Sequence, residues 1–300
     1  MQKLAEKLRA IAPDRLFENE PMSKHTTFRV GGPADLMFYP ESREEIIAAL
    51  EAAKKENVPV HVIGNGSNLL VRDGGIRGLV IVLGDEFARV CVDGDRIYAE
   101  AGVRLSRIAM AAQENGLTGL EFAGGIPGTL GGGCMMNAGA YGGQLSDVLV
   151  SCQVLLDGEL KSYSVDEMEM GYRTTMPLKK GGVVFSAEFR LKRGDPAAIA
   201  ERMRDLAQRR RDKQPLNMPS AGSTFKRPEG HFAGALIEGC GLKGYSVGGA
   251  QVSEKHAGFV VNTGNATAKD ILGLIEYVQK TVFAEKGVTL EPEVRIIGEE

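Results

Sequence analysis

Between Gly116 and Gly143, eleven of the chain's 39 glycines fall within 28 residues, and no other feature constrains the fold so sharply. The centre reads Gly124-Gly125-Ile126-Pro127-Gly128-Thr129-Leu130-Gly131-Gly132-Gly133, followed by Asn137-Ala138-Gly139-Ala140-Tyr141. Each glycine costs conformational entropy on ordering and offers no side chain to pack, so this density weakens any helix or strand. A folded chain tolerates it where the backbone bends sharply or presses close to a ligand. Flexible linkers run to Ser, Thr and charge. Here Ile126, Pro127, Leu130, Met135 and Met136 interrupt the glycines, and these residues pack. The stretch reads as an ordered loop whose N–H groups line a concave anion site for a phosphate-bearing ligand; a linker or a set of tight turns is the alternative.

Three hundred residues suggest about two domains. The chain is 43% hydrophobic and 25% charged with a net charge of −3, so nothing draws it to nucleic acid and anion binding has to be local. No apolar run reaches the length of a membrane span. The N-terminus places Leu4, Leu8 and Ile11 at helical spacing among charges, unlike a signal peptide, and a cytoplasmic location is expected. Cys91, Cys134, Cys152 and Cys240 lie far apart, as do the four histidines. Neither a metal site nor a disulfide framework is expected.

Phe28–Tyr39 reads as strand around a Gly31-Gly32-Pro33 turn, Arg43–Lys55 as an amphipathic helix, and Val58–Ile63, Leu69–Val71 and Leu79–Leu83 as strands. Ala88–Ala101 reads as a hairpin about Asp93-Gly94-Asp95, and Leu105–Asn115 as a helix ended by Gly116. Val148–Leu156 and Val183–Leu191 are strand-like. A boundary falls near 195, where Asp195-Pro196 opens a helix whose last turn, Arg209-Arg210-Arg211-Asp212-Lys213, is basic. That turn could hold a diphosphate, but cations commonly complement a helix dipole there, and the dipole is the preferred reading. A helix over Lys269–Ala284 and a strand around Glu293–Ile297 close the chain.

Gly64-Asn65-Gly66-Ser67-Asn68 follows a strand and superficially resembles a dinucleotide fingerprint. Its third glycine would fall at Leu69, and a strand rather than a helix follows, so a Rossmann reading is poor. A phosphate-holding turn between two strands remains open beside a plain tight turn. In Pro219-Ser220-Ala221-Gly222-Ser223-Thr224-Phe225-Lys226, a hydroxyl and a cation could share one cleft, although Ser223 beside a glycine is commonly structural.

Taken together and in order, Gly64–Asn68, Gly125–Thr129, Asn137–Gly142, Tyr172-Arg173, Gly222–Lys226 and Glu291-Pro292-Glu293-Val294-Arg295 resemble the UDP-N-acetylenolpyruvoylglucosamine reductases, bacterial enzymes of cell-wall (peptidoglycan) synthesis. The likeness runs from about Thr27 to Ile297. It implies an α+β fold: a two-subdomain FAD-binding domain of the vanillyl-alcohol-oxidase (PCMH) type over 1–195, with subdomains about 18–84 and 85–195, and a substrate-binding α+β domain over 196–300. It implies non-covalent FAD, NADPH as co-substrate and a UDP-sugar substrate, with no nucleic acid or membrane partner. The subunit is expected to act as a monomer. Carried over by position, Arg173, Ser223 and Glu293 are the catalytic residues, and Tyr172 and Lys226 meet substrate. FAD is held by Gly64, Asn65, Gly66, Ser67 and Asn68, by Gly124, Gly125, Ile126, Pro127, Gly128, Thr129 and Gly132, and by Asn137, Ala138, Gly139 and Tyr141. Only 21 residues separate Arg173 from Asp195, which matches the shorter class without an aromatic clamp loop.

Reduction of an enolpyruvyl group spreads negative charge onto its carboxylate, a charge that a guanidinium fork such as that of Arg173 suits. Ser223 would deliver the proton. Glu293 helps only if protonated, or by orienting Arg173 or a water. Two rivals stand beside this reading: a non-redox nucleotide-sugar binder or transferase, and an oxygen-using flavin oxidase on the same fold.

Overall fold

The computed structural model describes residues 1–300. By packing, the chain divides into two interleaved units. The first is Met1–Leu16, Phe38–Asn65 and Ile81–Arg210; the second is Phe17–Met37, Gly66–Val80 and Arg211–Glu300. The boundary thus cuts through the Gly64–Asn68 loop between Asn65 and Gly66.

The first unit is built on a five-stranded antiparallel sheet in the order Glu159–Ser164, Leu149–Leu156, Val183–Arg190, Arg96–Glu100, Val90–Asp93. The expected hairpin about Asp93-Gly94-Asp95 forms its edge. Ile97 and Ala99 on one strand, with Cys152 and Val154 on another, send alternate side chains into the core, the period-2 pattern of a half-buried strand. Helix Leu105–Glu114 seals that core with Leu105, Ile108, Ala109 and Ala112. Helix Arg43–Lys55 forms where the sequence places it, because Ser42 Oγ accepts from Glu45 N and acidic residues open its first turn.

The glycine-rich stretch is more regular than its composition suggests. A 3-10 turn, Glu121–Gly125, leads to a short helix, Leu130–Met135, which contains three glycines. Close approach explains this. A Cβ on Gly131 would lie 3.0 Å from the Ala101 Cβ, and one on Gly133 3.0 Å from Leu105 Cδ1. Leu130 and Gly131 donate their N–H groups to the carbonyls of Val103 and Ala101, which pins the helix to the sheet.

In the second unit a three-stranded antiparallel sheet, Ser246–Val247, Ala250–Val252 and Val260–Asn262, packs against helix Ala268–Lys286. That helix buries Ile271, Leu274, Ile275, Val278 and Val282. Its start is doubly secured: Thr267 and Asp270 form a capping box, and the Asp73 carboxylate accepts from Ala268 N and Lys269 N, both at 2.9 Å. A short helix, Ala233–Gly239, buries Ala233 and Ile237 in the core of this unit. Strand Pro33–Phe38 is shorter than the expected Phe28–Tyr39; Phe28 instead packs into the core as part of an irregular segment. The C-terminal strand Arg295–Ile297 pairs in parallel with Leu69–Val71. No helix is long and apolar enough to cross a membrane.

Candidate active site

Two groups of the expected site residues come together, one in each unit. In the first unit the two glycine loops meet. A Cβ on Gly64 would fall 2.1 Å from Thr129 Oγ1, and Asn65 Nδ2 donates to the Pro127 carbonyl at 2.6 Å. Gly64, Asn65, Pro127 and Thr129 are therefore one piece of surface, although over sixty residues of chain separate the loops. Gly128 lies between them, and its carbonyl accepts from Leu105 N. Ile126 packs on the core, and Gly124 abuts Met203.

Gly132 differs from its neighbours. Nothing but Thr129 Oγ1, at 3.9 Å, lies near its missing Cβ, so this glycine faces open space beside the joined loops. Backbone bare of side chains on that face fits close approach by a diphosphate, and the residues present are suited to a dinucleotide.

The basic turn of helix Pro196–Lys213 is not only a complement to the helix dipole. The Arg210 guanidinium lies 3.1 Å from where a Gly125 Cβ would be, and its burial lowers its pKa from the ordinary value. The contact is tertiary and leaves no mark in the local sequence.

Asn137 is a structural hub. It is 3% exposed, its Nδ2 donates toward Gln144 Oε1, Ser146 Oγ and the Gly171 carbonyl, and its Oδ1 accepts from Ser146 N. Ala138 N and Gly139 take part in the neighbouring turn, where a Gly139 Cβ would strike the Gly143 carbonyl, and Tyr141 is exposed. Gly171 opens a tight turn closed by its bridge to Thr174, with Tyr172 and Arg173 at the tip. Arg173 sits at φ 56°, an uncommon conformation for a long side chain, and its Cζ lies 5.1 Å from the Tyr172 ring centroid. Asn137 and the Thr175 hydroxyl, which donates to the Met135 carbonyl, hold that turn against the glycine-rich segment. Helix Met176–Lys180 follows at once and then strand Val183–Arg190, so no clamp loop is inserted after Arg173.

In the second unit Glu293 N donates to the Thr224 carbonyl at 2.8 Å, which brings Ser223 and Glu293 to adjoining backbone positions. Asn68 ties the Gly66-Ser67-Asn68 loop to the same place: its Nδ2 donates to the Glu293 carbonyl at 3.1 Å, and its own carbonyl accepts from Arg295 N. Thr224 is buried and its hydroxyl accepts from Val260 N, whereas Ser223 is exposed and follows Gly222, at φ 78°. Glu293 is half-buried. Lys226 Nζ pairs with Glu291 at 3.1 Å. Gly66 must be glycine: φ is 59°, and a Cβ would lie 2.0 Å from the His25 carbonyl. No three His, Cys, Asp or Glu side chains cluster as a metal site.

The family model for FAD-binding domains matches residues 34–162, and that for the UDP-N-acetylenolpyruvoylglucosamine reductase C-terminal domain matches 214–297. The UDP-N-acetylenolpyruvoylglucosamine reductase of Alkaliphilus oremlandii is 50% identical over 293 residues, 97% of this chain and 96% of that one. This chain belongs to the UDP-N-acetylenolpyruvoylglucosamine reductase family. The relative in Caldanaerobacter subterraneus is 51% identical over 99% of this chain and 98% of its own length. The crystal structure of UDP-N-acetylenolpyruvylglucosamine reductase from Thermus caldophilus superposes with a TM-score of 0.81 at 37% identity, covering 92% of this chain and 97% of that one. A PCMH-type FAD-binding domain joined to the family's C-terminal domain is thus the architecture, and its α+β character follows from the sheets and helices above.

Proposed function

We propose that this family member reduces UDP-N-acetylenolpyruvoylglucosamine to UDP-N-acetylmuramate with NADPH, using Arg173, Ser223 and Glu293, within a FAD-binding part spanning 1–195 and a substrate-binding part spanning 196–300. The observation that carries the reading is the Glu293–Thr224 backbone bond with Asn68 attached to it, which gathers a hydroxyl, a carboxylate and a glycine loop at one place. The Gly64–Asn68 and Gly124–Thr129 loops with Gly132 would hold FAD, which when bound would supply hydride chemistry with NADPH as the reductant.

The chain's own residues do the rest. Hydride added at the substrate's terminal alkene carbon leaves negative charge on the adjacent carbon and its carboxylate. Arg173 matches that carboxylate with a planar fork that keeps its charge, and Tyr172 and the Asn137-held turn restrict where the fork points. Ser223 Oγ is exposed and holds the proton for the adjacent carbon. Glu293, at the neighbouring backbone position, acts in its protonated form as a donor, or orients Arg173 or a water. Lys226, paired with Glu291, lends positive charge to the substrate diphosphate.

The test separates the half-reactions. Under anaerobic conditions, Ser223→Ala should be bleached by NADPH at the wild-type rate, while turnover falls by about 10²–10⁴-fold. Arg173→Lys should also be bleached normally and reoxidise slowly with substrate. Normal turnover in Ser223→Ala, or equal losses in both half-reactions of Arg173→Lys, overturns the assignment. A wild-type protein that oxidises NADPH without the enolpyruvyl sugar nucleotide would indicate an oxidase.

A further inference from the structure

Thr27 Oγ1 is buried without a hydrogen-bond partner, and it is the sole side-chain nitrogen or oxygen of the chain in that condition. Its neighbour shows what a buried threonine ordinarily does: Thr26 Oγ1 donates to the Val30 carbonyl at 2.9 Å. A hydroxyl removed from water and given nothing in exchange bears its full desolvation cost. Valine has the same β-branched shape and would avoid that cost.

The position of this hydroxyl indicates what it is for. Thr27 N donates to the Gly66 carbonyl. The clearance between Gly66 and His25 is so small that no Cβ fits, which locks residues 25–27 against the start of the Gly66-Ser67-Asn68 loop. The hydroxyl is thereby fixed beside the backbone that the proposed function assigns to FAD. Neither composition nor motif spacing distinguishes Thr27 from Thr26; only the hydrogen-bond pattern does.

We propose that Thr27 is a cofactor-binding residue, its hydroxyl donating to an oxygen of FAD and completing the donor set of the Gly66-Ser67-Asn68 loop. This rests on FAD occupying that loop. The orphaned hydroxyl makes a two-sided prediction, because a group that serves the ligand should cost the free protein stability.

Three full-length proteins test it: wild type, Thr27→Val and Thr27→Ser, each stripped of flavin and returned to native buffer. Without FAD, Thr27→Val should melt at or above the wild-type temperature. Its dissociation constant for FAD, read from flavin fluorescence, should rise about tenfold, the effect of one lost hydrogen bond. Thr27→Ser should bind FAD almost as wild type does. Titration with ADP locates the contact: an equal loss for ADP and FAD places it on the diphosphate, and a loss for FAD alone places it on the flavin half. An unchanged FAD constant in Thr27→Val overturns the proposal. So does a lower melting temperature of the FAD-free Val variant, which would mean that the hydroxyl has a partner in the protein. Failure of the wild type to bind FAD would refute the loop assignment instead, and the wild-type titration alone reveals it.

Discussion

Gly64→Ala is the sharpest probe of the junction between the two glycine loops. The added methyl would sit 2.1 Å from Thr129 Oγ1 and 3.2 Å from both Thr129 Cβ and Cγ2. The threonine must leave its rotamer to clear the oxygen, and the 3.2 Å approach to Cβ still has to be relieved by a small shift of the loops. Overpacking of this kind costs about 1–3 kcal/mol. Thr129 is the N-cap of helix Leu130–Met135, yet its side chain makes no capping bond, so Thr129→Ala alone forfeits mainly a buried methyl, about 1 kcal/mol. In the double variant only the 3.2 Å approach to Cβ remains, and a shift of a few tenths of an ångström relieves it. The expected cycle is therefore non-additive, with at least about 1 kcal/mol of the Gly64→Ala loss recovered in Gly64→Ala/Thr129→Ala. Thermal unfolding of the flavin-free proteins reads the stability. Flavin titration should show Gly64→Ala weakened on the order of tenfold, since about 1.4 kcal/mol corresponds to that factor. Strict additivity, or a Gly64→Ala protein as stable as wild type, would refute the claim that these loops touch.

Asn137→Ala removes a buried amide with four hydrogen bonds to three residues and puts alanine at φ 43°; unfolding free energy should fall by about 2–4 kcal/mol, and kcat should drop because the Arg173 turn loses its anchor. Wild-type stability in urea with kcat measured alongside checks both, and an unaffected kcat would separate Asn137 from Arg173. Burial lowers the pKa values of His61 and His256 below the ordinary 6.5, so the unfolded chain takes up protons that the folded chain refuses. Stability should hold above about pH 7 and decline as pH falls through 6.5, ending where the folded histidines titrate. His256 Nδ1 accepts from Gly258 N, a bond that protonation breaks, and His256→Gln should flatten the decline in melts run from pH 8 to 5. A flat wild-type profile over that range would contradict it.

Much of the fold was legible because its signals are local. An amphipathic period marks helix Arg43–Lys55 within a few residues of chain, and Asp93-Gly94-Asp95 marks a hairpin. The ordered set of motifs identified the family. Other elements needed the rest of the molecule. Three glycines argue against helix Leu130–Met135, yet contacts with Ala101, Leu105 and Leu145 offset their entropy. The contact of Arg210 with Gly125 is tertiary and adds to the dipole role that its place in the last turn indicates. Nothing in the sequence set Thr27 apart from Thr26.

The sequence by itself determined which residue types were available: backbone free of side chains for a phosphate, a guanidinium at 173, a hydroxyl at 223 and a carboxylate at 293. It also set the short-range geometry, since capping, turn chemistry and hydrophobic period act over a few residues. Tertiary structure alone decided which of these residues meet. Glu293 reaches Asn68 across 225 residues because strand Arg295–Ile297 pairs with Leu69–Val71, and Gly64 meets Thr129 because two loops pack without intervening side chains. Such contacts leave no periodic trace in the chain, because the free energy that selects them comes from burying surfaces remote in sequence.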